Sequence, residues 1–93
     1  MYYPKIIIAS QEPLLRIRSS KVIARSGRFS ITAKSTNEII ALLRNVGTKG
    51  ILFLDVNTFG PTVEAILELA REMKTRVYAL CPDGIPTPDK RLI

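Results

Sequence analysis

The chain of 93 residues contains no histidine, no tryptophan and a single cysteine, Cys81. Without histidine, neither a histidine-dependent catalytic triad nor a typical zinc site can form within one chain. A single cysteine cannot form an internal disulfide. These absences exclude several classes of enzyme and metalloprotein before any sequence pattern is considered.

Long apolar segments are also missing. The longest apolar runs are residues 6–9 and 51–54, whereas a membrane-spanning helix needs about 20 apolar residues. The N-terminus lacks the apolar segment of a signal peptide. We therefore expect a cytoplasmic protein with no membrane partner.

The composition is that of one small folded domain, with 46% hydrophobic and 24% charged residues. The net charge of +6 is uneven, because residues 1–50 hold nine Lys or Arg against two Glu. Five basic residues lie within thirteen positions, namely Arg16, Arg18, Lys21, Arg25 and Arg28. Such a cluster can face nucleic acid, an acidic protein surface or only water. Phe29 alone adjoins it, which disfavours single-strand binding.

Four strands are predicted, at residues 5–10, 29–33, 51–54 and 76–81. The first and third are unbroken apolar runs, as in strands covered on both faces, whereas the second alternates apolar and polar residues.

Three predicted helices separate these strands. The first runs from residue 12 to about 26, with Ser10 as its N-cap and Gly27 as its stop, and its apolar pattern breaks at Arg18 and Ser19. A capping box, 35-STNE-38, opens the second, and Pro61 opens the third. The apolar face of the third helix comprises Val63, Ile66, Leu67, Ala70 and Met73.

This alternation predicts an α/β fold of three layers around a parallel sheet of about four strands. Functional side chains are then expected at the carboxyl ends of the strands. The turn after the first strand, residues 10–13, has no glycine, which disfavours a dinucleotide or nucleoside triphosphate loop. Cys81 lacks the nearby arginine and base of a nucleophilic cysteine loop, so we interpret it as a packed thiol.

Four segments together, 5-KIIIASQEPLL-15, 35-STNEIIALLRN-45, 50-GILFLDV-56 and 76-RVYALC-81, resemble the response regulator receiver (CheY-like) family in order and spacing. The resemblance covers residues 5 to about 84. It implies a flavodoxin-like sheet of strand order 2-1-3-4, shortened at its C-terminal end because a fourth helix and fifth strand cannot both follow Cys81. Residues 1–84 would form this receiver-like domain, and residues 85–93 a Pro-rich tail or the start of a linker.

The resemblance also implies a degenerate site. Asp55 matches the family's phosphoacceptor, but Ser10 and Gln11 stand where two acidic residues hold Mg²⁺, with Glu12 only a displaced substitute. Cys81 replaces the hydroxyl of the fourth strand, and Lys90 is too close to Cys81 to serve as the fifth-strand lysine. We therefore expect no enzyme activity and no cofactor, with Mg²⁺ needed only if Asp55 is phosphorylated. Asp55 is predicted instead to be a turn residue that accepts N–H groups from residues 56–58.

These patterns predict a non-catalytic signalling or regulatory interaction module that acts through protein contacts without phosphorylation. An exposed fourth strand invites pairing, so Val77, Tyr78 and Leu80 are candidate contacts for a protein partner or a homodimer, with the third helix and the tail beside them. The basic first helix is a second candidate surface for a protein partner. Two alternatives stay open: a phosphoacceptor receiver of a two-component system that uses Asp55, and a nucleic-acid-binding protein that uses the basic first helix.

Overall fold

The computed structural model describes residues 5–46 and 50–80. This part of the chain contains four strands and four α-helices. In chain order they are β1 (Lys5–Ala9), α1 (Pro13–Arg25), β2 (Ser30–Ala33), α2 (Thr36–Val46), β3 (Gly50–Leu54), α3 (Val56–Phe59), α4 (Val63–Glu72) and β4 (Arg76–Ala79). A 3₁₀ turn, Gly60–Thr62, joins α3 to α4.

The strands form a single parallel sheet in the order β2-β1-β3-β4. This confirms the predicted fold class and strand order, and the arrangement is compatible with a small flavodoxin-like fold. In the sheet register, Ile7 of β1 lies between Ile31 of β2 and Leu52 of β3. Strands β2 and β4 are the two outer strands of the sheet.

Apolar side chains fill both faces of the sheet, which explains why β1 and β3 show no polar alternation. On one face, Leu15 and Ile23 of α1 pack with a cluster of sheet residues that includes Phe53. On the other face, α2 and α4 cover Leu52 and Leu54. The helix residues buried there are Ile39, Leu43, Ile66 and Ala70.

Helix α1 buries one narrow stripe, Leu15, Ser19 and Ile23, spaced by four residues. Two other apolar side chains, Leu14 and Ile17, remain 66% and 50% exposed. The buried stripe passes through the polar Ser19, so the helix has little apolar surface to pack on the sheet. The patchy packing predicted from the gap at Arg18 and Ser19 is confirmed.

The start of α1 differs from the prediction. Glu12, not Ser10, is the N-cap, and no side chain caps the helix. The Ser10 hydroxyl lies too early in the chain to reach the first helical turn, and it accepts the Glu12 N–H at 3.0 Å instead. Pro13 at the first helical position reduces the need for a cap, since proline has no N–H to satisfy.

Helix α2 begins with the predicted Ser35–Glu38 interaction, in a modified form. The Glu38 N–H donates to Ser35 Oγ at 3.2 Å, as in a capping box. The Glu38 carboxylate reaches one residue further back than that motif requires and accepts the Lys34 N–H at 2.9 Å. Glu38 therefore takes part in both contacts, through its backbone N–H at the helix start and through its carboxylate at the end of β2.

The third helix was predicted to begin at Pro61, and the helical structure that precedes this residue was not predicted. The one-turn helix α3 begins at Val56 and buries Phe59, and α4 begins only at Val63. The carboxylate of Asp55 caps α3, whereas Gly60, at φ 52° and ψ −123°, ends it in a conformation that suits glycine. Leu67, predicted on the packed face of α4, is 37% exposed because the buried stripe runs through Ile66 and Ala70.

The strand boundaries differ by one or two residues from those predicted: β3 begins at Gly50 and β4 ends at Ala79. Cys81, Lys90 and the tail at 85–93 lie outside the described residues, as does Gly47, which follows the apolar pattern of the second helix and is predicted from the sequence to end it. Within residues 5–46 and 50–80, no helix is long and apolar enough to cross a membrane.

Candidate functional site

The candidate site lies where β1 and β3 end side by side. These two strands are neighbours in the sheet, and Ala9 pairs with Leu54. The next residue of each strand, Ser10 and Asp55, therefore lies at the same edge of the sheet. In an open α/β sheet this carboxyl edge is where ligands usually bind.

Asp55 is buried, with 4% of its surface exposed. Its Oδ2 atom accepts the Ser10 hydroxyl at 2.7 Å, and its Oδ1 atom accepts the Asn57 N–H at 3.3 Å. The bond to Asn57 is the type predicted for Asp55 as a turn residue. Both carboxylate oxygens thus have partners from the protein itself.

Ser10 is also fully buried and joins several groups at this edge. Its hydroxyl donates to the Asp55 carboxylate and accepts the Glu12 N–H, so it acts as a donor and as an acceptor at the same time. Its carbonyl oxygen accepts Arg16 Nη1 at 2.7 Å. Arg16, predicted as part of the basic cluster, is therefore half-buried and holds the loop after β1.

A second contact joins the loops after β1 and β3. The N–H of Gln11 donates to Thr58 Oγ1 at 3.3 Å. The same hydroxyl lies 3.3 Å from the carbonyl oxygen of Asp55, to which it donates. Thr58 thus bridges Gln11 and Asp55, so the two loops are connected by both the Ser10–Asp55 and the Gln11–Thr58 hydrogen bonds.

Thr58 was not singled out from the sequence, nor was the pair Thr36 and Thr62. The hydroxyls of that pair lie 3.1 Å apart and connect the start of α2 to the turn before α4. The Thr62 hydroxyl also donates to the carbonyl oxygen of Phe59 at 2.8 Å. The signal for Thr58 was its place three residues after a strand-end aspartate. Nothing in the sequence links Thr36 to Thr62.

The receiver resemblance implies Mg²⁺ beside Asp55, and the residues present do not fit such an ion. Mg²⁺ prefers carboxylate oxygens, but Ser10 is neutral and directs its hydroxyl hydrogen at Asp55. Gln11 and Glu12 are exposed and lie outside the buried pair. Among the described residues, no three His, Cys, Asp or Glu side chains are grouped so that they could hold a metal ion.

The basic cluster does not form one surface. Arg18, Lys21 and Arg25 are exposed on α1, whereas Arg16 and Arg28 are half-buried and each takes part in an interaction. Next to the cluster, Phe29 is 93% exposed. The cations available to a partner are therefore the three on α1.

The predicted fourth strand is an outer strand, but its side chains are mostly covered. Val77 and Tyr78 are half-buried, and the Tyr78 ring lies 5.8 Å from that of Phe53, measured between centroids. Leu80 is buried in the core cluster under α1. What β4 offers to a partner is therefore its backbone edge more than its side chains.

No family model matches the chain, and neither a curated protein nor a solved structure is significantly similar to it. The receiver resemblance therefore rests on the residues and the strand order described above.

Proposed function

We propose that the chain is a non-catalytic, receiver-like module for signalling or regulation, which acts through protein contacts and without phosphorylation. The observation that carries this proposal is the buried Ser10–Asp55 hydrogen bond of 2.7 Å. Phosphoryl transfer depends on positioning and on neutralising charge at the phosphoryl oxygens. At this site the carboxylate is covered, and the neighbouring residues that would hold the metal are replaced.

The same bond gives Asp55 a different role. Together with the Gln11–Thr58 contact, it holds the ends of β1 and β3 against each other. A fixed carboxyl edge suits a rigid docking domain. A phosphorylation switch, by contrast, needs a loop with two arrangements.

A direct test exposes the protein to beryllofluoride or acetyl phosphate with Mg²⁺ and records the amide NMR spectrum. We expect the spectra of the native protein and of Asp55→Asn to stay unchanged. A change in the native spectrum that Asp55→Asn abolishes would instead support the alternative of a phosphoacceptor in a two-component system.

For the protein partner, we propose β4 as a docking edge, including the case of a homodimer. Leu80 N–H donates to the Leu54 carbonyl at 2.8 Å, so Leu80 and Tyr78 direct their backbone groups toward β3. By alternation, Val77 and Ala79 direct theirs away from the sheet. An added strand can pair with those groups.

The homodimer is tested by size-exclusion chromatography with light scattering over a range of concentrations. We expect a dimer that Ala79→Pro converts to a monomer, because proline removes an outward N–H and leaves the ladder to β3 intact. Thr32→Pro, on the opposite edge of the sheet, is the matched control and should leave the dimer in place. A monomer at every concentration would contradict the homodimer.

Nucleic-acid binding is the second candidate function, favoured by the exposure of Arg18, Lys21 and Arg25 on a helix without acidic residues. It requires binding to random DNA or RNA that falls steeply with salt and is lost when these three residues are replaced by alanine. Binding that changes neither with salt nor with these substitutions would exclude it.

Our proposal for the chain also includes a cytoplasmic location, an expectation that rests on the sequence alone.

A further inference from the structure

The outer strand β2 has backbone groups that point away from the sheet. The N–H of Ser10 donates to the carbonyl of Ala33 at 3.1 Å, so Ala33 directs its backbone groups toward β1. Because these groups alternate in direction along a strand, Ile31 also faces β1, while Ser30, Thr32 and Lys34 face outward. The Lys34 N–H is already bound by Glu38.

The open part of this edge is therefore short. Ser30 and Thr32 each present one N–H and one carbonyl oxygen, and no hydrogen bond to these groups is found within residues 5–46 and 50–80. Glu38 closes the edge at the end of β2 by binding Lys34. An added strand would pair over about four or five residues, the usual length of a short strand.

Apolar side chains accompany these backbone groups. Phe29, directly before β2, is 93% exposed, and Ile31 within it is 42% exposed. On the opposite outer strand the larger apolar side chains, Val77 and Tyr78, are half-buried. Of the two outer strands, β2 thus offers the more exposed apolar surface, which every second side chain of a partner strand could cover.

Charge determines which partner fits. Two exposed cations flank β2 in the chain: Arg25 ends α1 five residues before it, and Lys34 directly follows it, where its N–H also binds the Glu38 carboxylate. Residues 1–50 carry nine basic residues against two acidic ones. A second copy pairing through β2 would bring two such basic regions together, which like-charge repulsion opposes. An acidic segment is attracted by the same charges.

We propose that β2 binds an extended peptide segment of a partner protein, with alternating apolar residues and acidic residues at its ends, as a fifth strand of the sheet. The inference is independent of the docking proposed for β4, because the two strands lie at opposite edges. It assigns recognition to the outward groups of Ser30 and Thr32, with Phe29 and Ile31 beside them.

The test measures fluorescence anisotropy of a labelled peptide, EETVTVTEE, with the basic peptide KKTVTVTKK as its matched control. We expect the acidic peptide to bind and the basic one not to bind. Thr32→Pro removes an outward hydrogen bond and should weaken binding about tenfold or more. Thr32→Val keeps the N–H and should bind within about twofold of the native protein. Ala79→Pro, at the β4 edge, should leave binding unchanged.

Several results would overturn the inference. Equal binding of the two peptides would remove the role of charge, and unchanged binding by Thr32→Pro would remove the strand pairing. A dimer dissolved by Thr32→Pro in the absence of peptide would identify a second copy as the occupant. Binding of a random single-stranded oligonucleotide that competes with the peptide would point to nucleic acid instead.

Two further measurements guard against a variant that does not fold. Ile31→Asp leaves the backbone intact and should also abolish binding, because it replaces an apolar contact with a carboxylate beside the valines of the peptide and adds repulsion from its glutamates. Amide hydrogen exchange of the native protein should slow at Ser30 and Thr32 when the peptide is added. Slowing at Val77 and Ala79 instead would assign the peptide to β4 and would refute the inference.

Discussion

At the scale of single residues, the hydrogen bond between Ser10 and Asp55 governs the candidate site. A buried carboxylate that loses one of its donors keeps the cost of desolvation without the compensating bond. We therefore expect Ser10→Ala to destabilise the protein by about 1–3 kcal/mol. The measurement is the free energy of unfolding in urea.

A double-mutant cycle separates this bond from other effects of the substitutions. With Ser10→Ala, Asp55→Ala and the double variant, we expect a coupling energy of about 1.5–3 kcal/mol, typical of a hydrogen bond to a charged group. The neutral pair Thr36 and Thr62 provides the matched control, with an expected coupling of about 0.5–1.5 kcal/mol. Equal couplings for the two pairs would show that the Asp55 carboxylate is better solvated than its burial indicates.

Ser19 illustrates a polar residue that costs stability. It is fully buried in the stripe of α1, and its hydroxyl has no hydrogen-bond partner among the described residues. Ser19→Ala removes an unsatisfied polar group and improves helix propensity, so we expect a gain of about 1–2 kcal/mol in urea unfolding. Ser20→Ala in the next, half-buried position reports the propensity effect alone and should gain about 0.5 kcal/mol or less. A loss of stability in Ser19→Ala would show that the hydroxyl is bonded.

At the scale of elements, two helices end in the same hydrogen-bond pattern with different residues. After α1, the N–H groups of Gly27 and Arg28 donate to Ala24 and Ile23. After α4, those of Lys74 and Thr75 donate to Arg71 and Ala70 in the equivalent positions. The residue that turns the chain has positive φ in both, 80° at Gly27 and 56° at Lys74. This is the Schellman motif, in which glycine is preferred.

We expect Lys74→Gly to stabilise the protein by about 0.5–1 kcal/mol, because a side chain with positive φ is strained and glycine is not. Gly27→Ala is the reciprocal change and should destabilise by about 1 kcal/mol. Among the described residues, no atom beyond the two chain neighbours lies within 4 Å of a Cβ added at Gly27, so the loss would report the backbone alone. Thermal unfolding measures both, and a shift of the same sign for the two variants would contradict this account.

The elements that sequence patterns predicted well are those with an unbroken apolar run or a sustained helical apolar period. Strands β1 and β3 and helix α2 are of this kind, since burial on one or both faces imposes the pattern directly. Helix α3 was missed because four residues carry no period, and its stability comes from the Asp55 cap and the burial of Phe59. The N-cap of α1 was assigned wrongly, because the Ser10 side chain bonds to Asp55, a residue 45 positions away at the end of the neighbouring strand.

The site itself could be predicted in part. The adjacency of Ser10 and Asp55 follows from parallel strands that end at the same edge. The contact between Gln11 and Thr58 could not be predicted, because it depends on the shapes of two loops. The covering of Leu80 depends on tertiary packing in the same way.

At the scale of the whole molecule, the sheet has two outer strands with different properties. β2 carries exposed apolar side chains in the basic half of the chain, whereas β4 offers mainly backbone groups. Association at β2 with an acidic peptide is driven partly by charge. The self-association proposed at β4 would instead bring together two molecules of charge +6, which repel each other.

Salt should therefore act on the two surfaces in opposite directions. Raising the salt concentration from about 0.05 M to 0.5 M shortens the range of electrostatic interactions severalfold. We expect this change to weaken binding of the acidic peptide severalfold in anisotropy measurements and to strengthen, or at least preserve, a homodimer followed by light scattering. Thr32→Pro should remove the first response and Ala79→Pro the second. Strands at opposite edges of the sheet cannot contact the same short peptide. If one variant removed both responses, the assignment of the peptide to β2 and of the homodimer to β4 would therefore be contradicted.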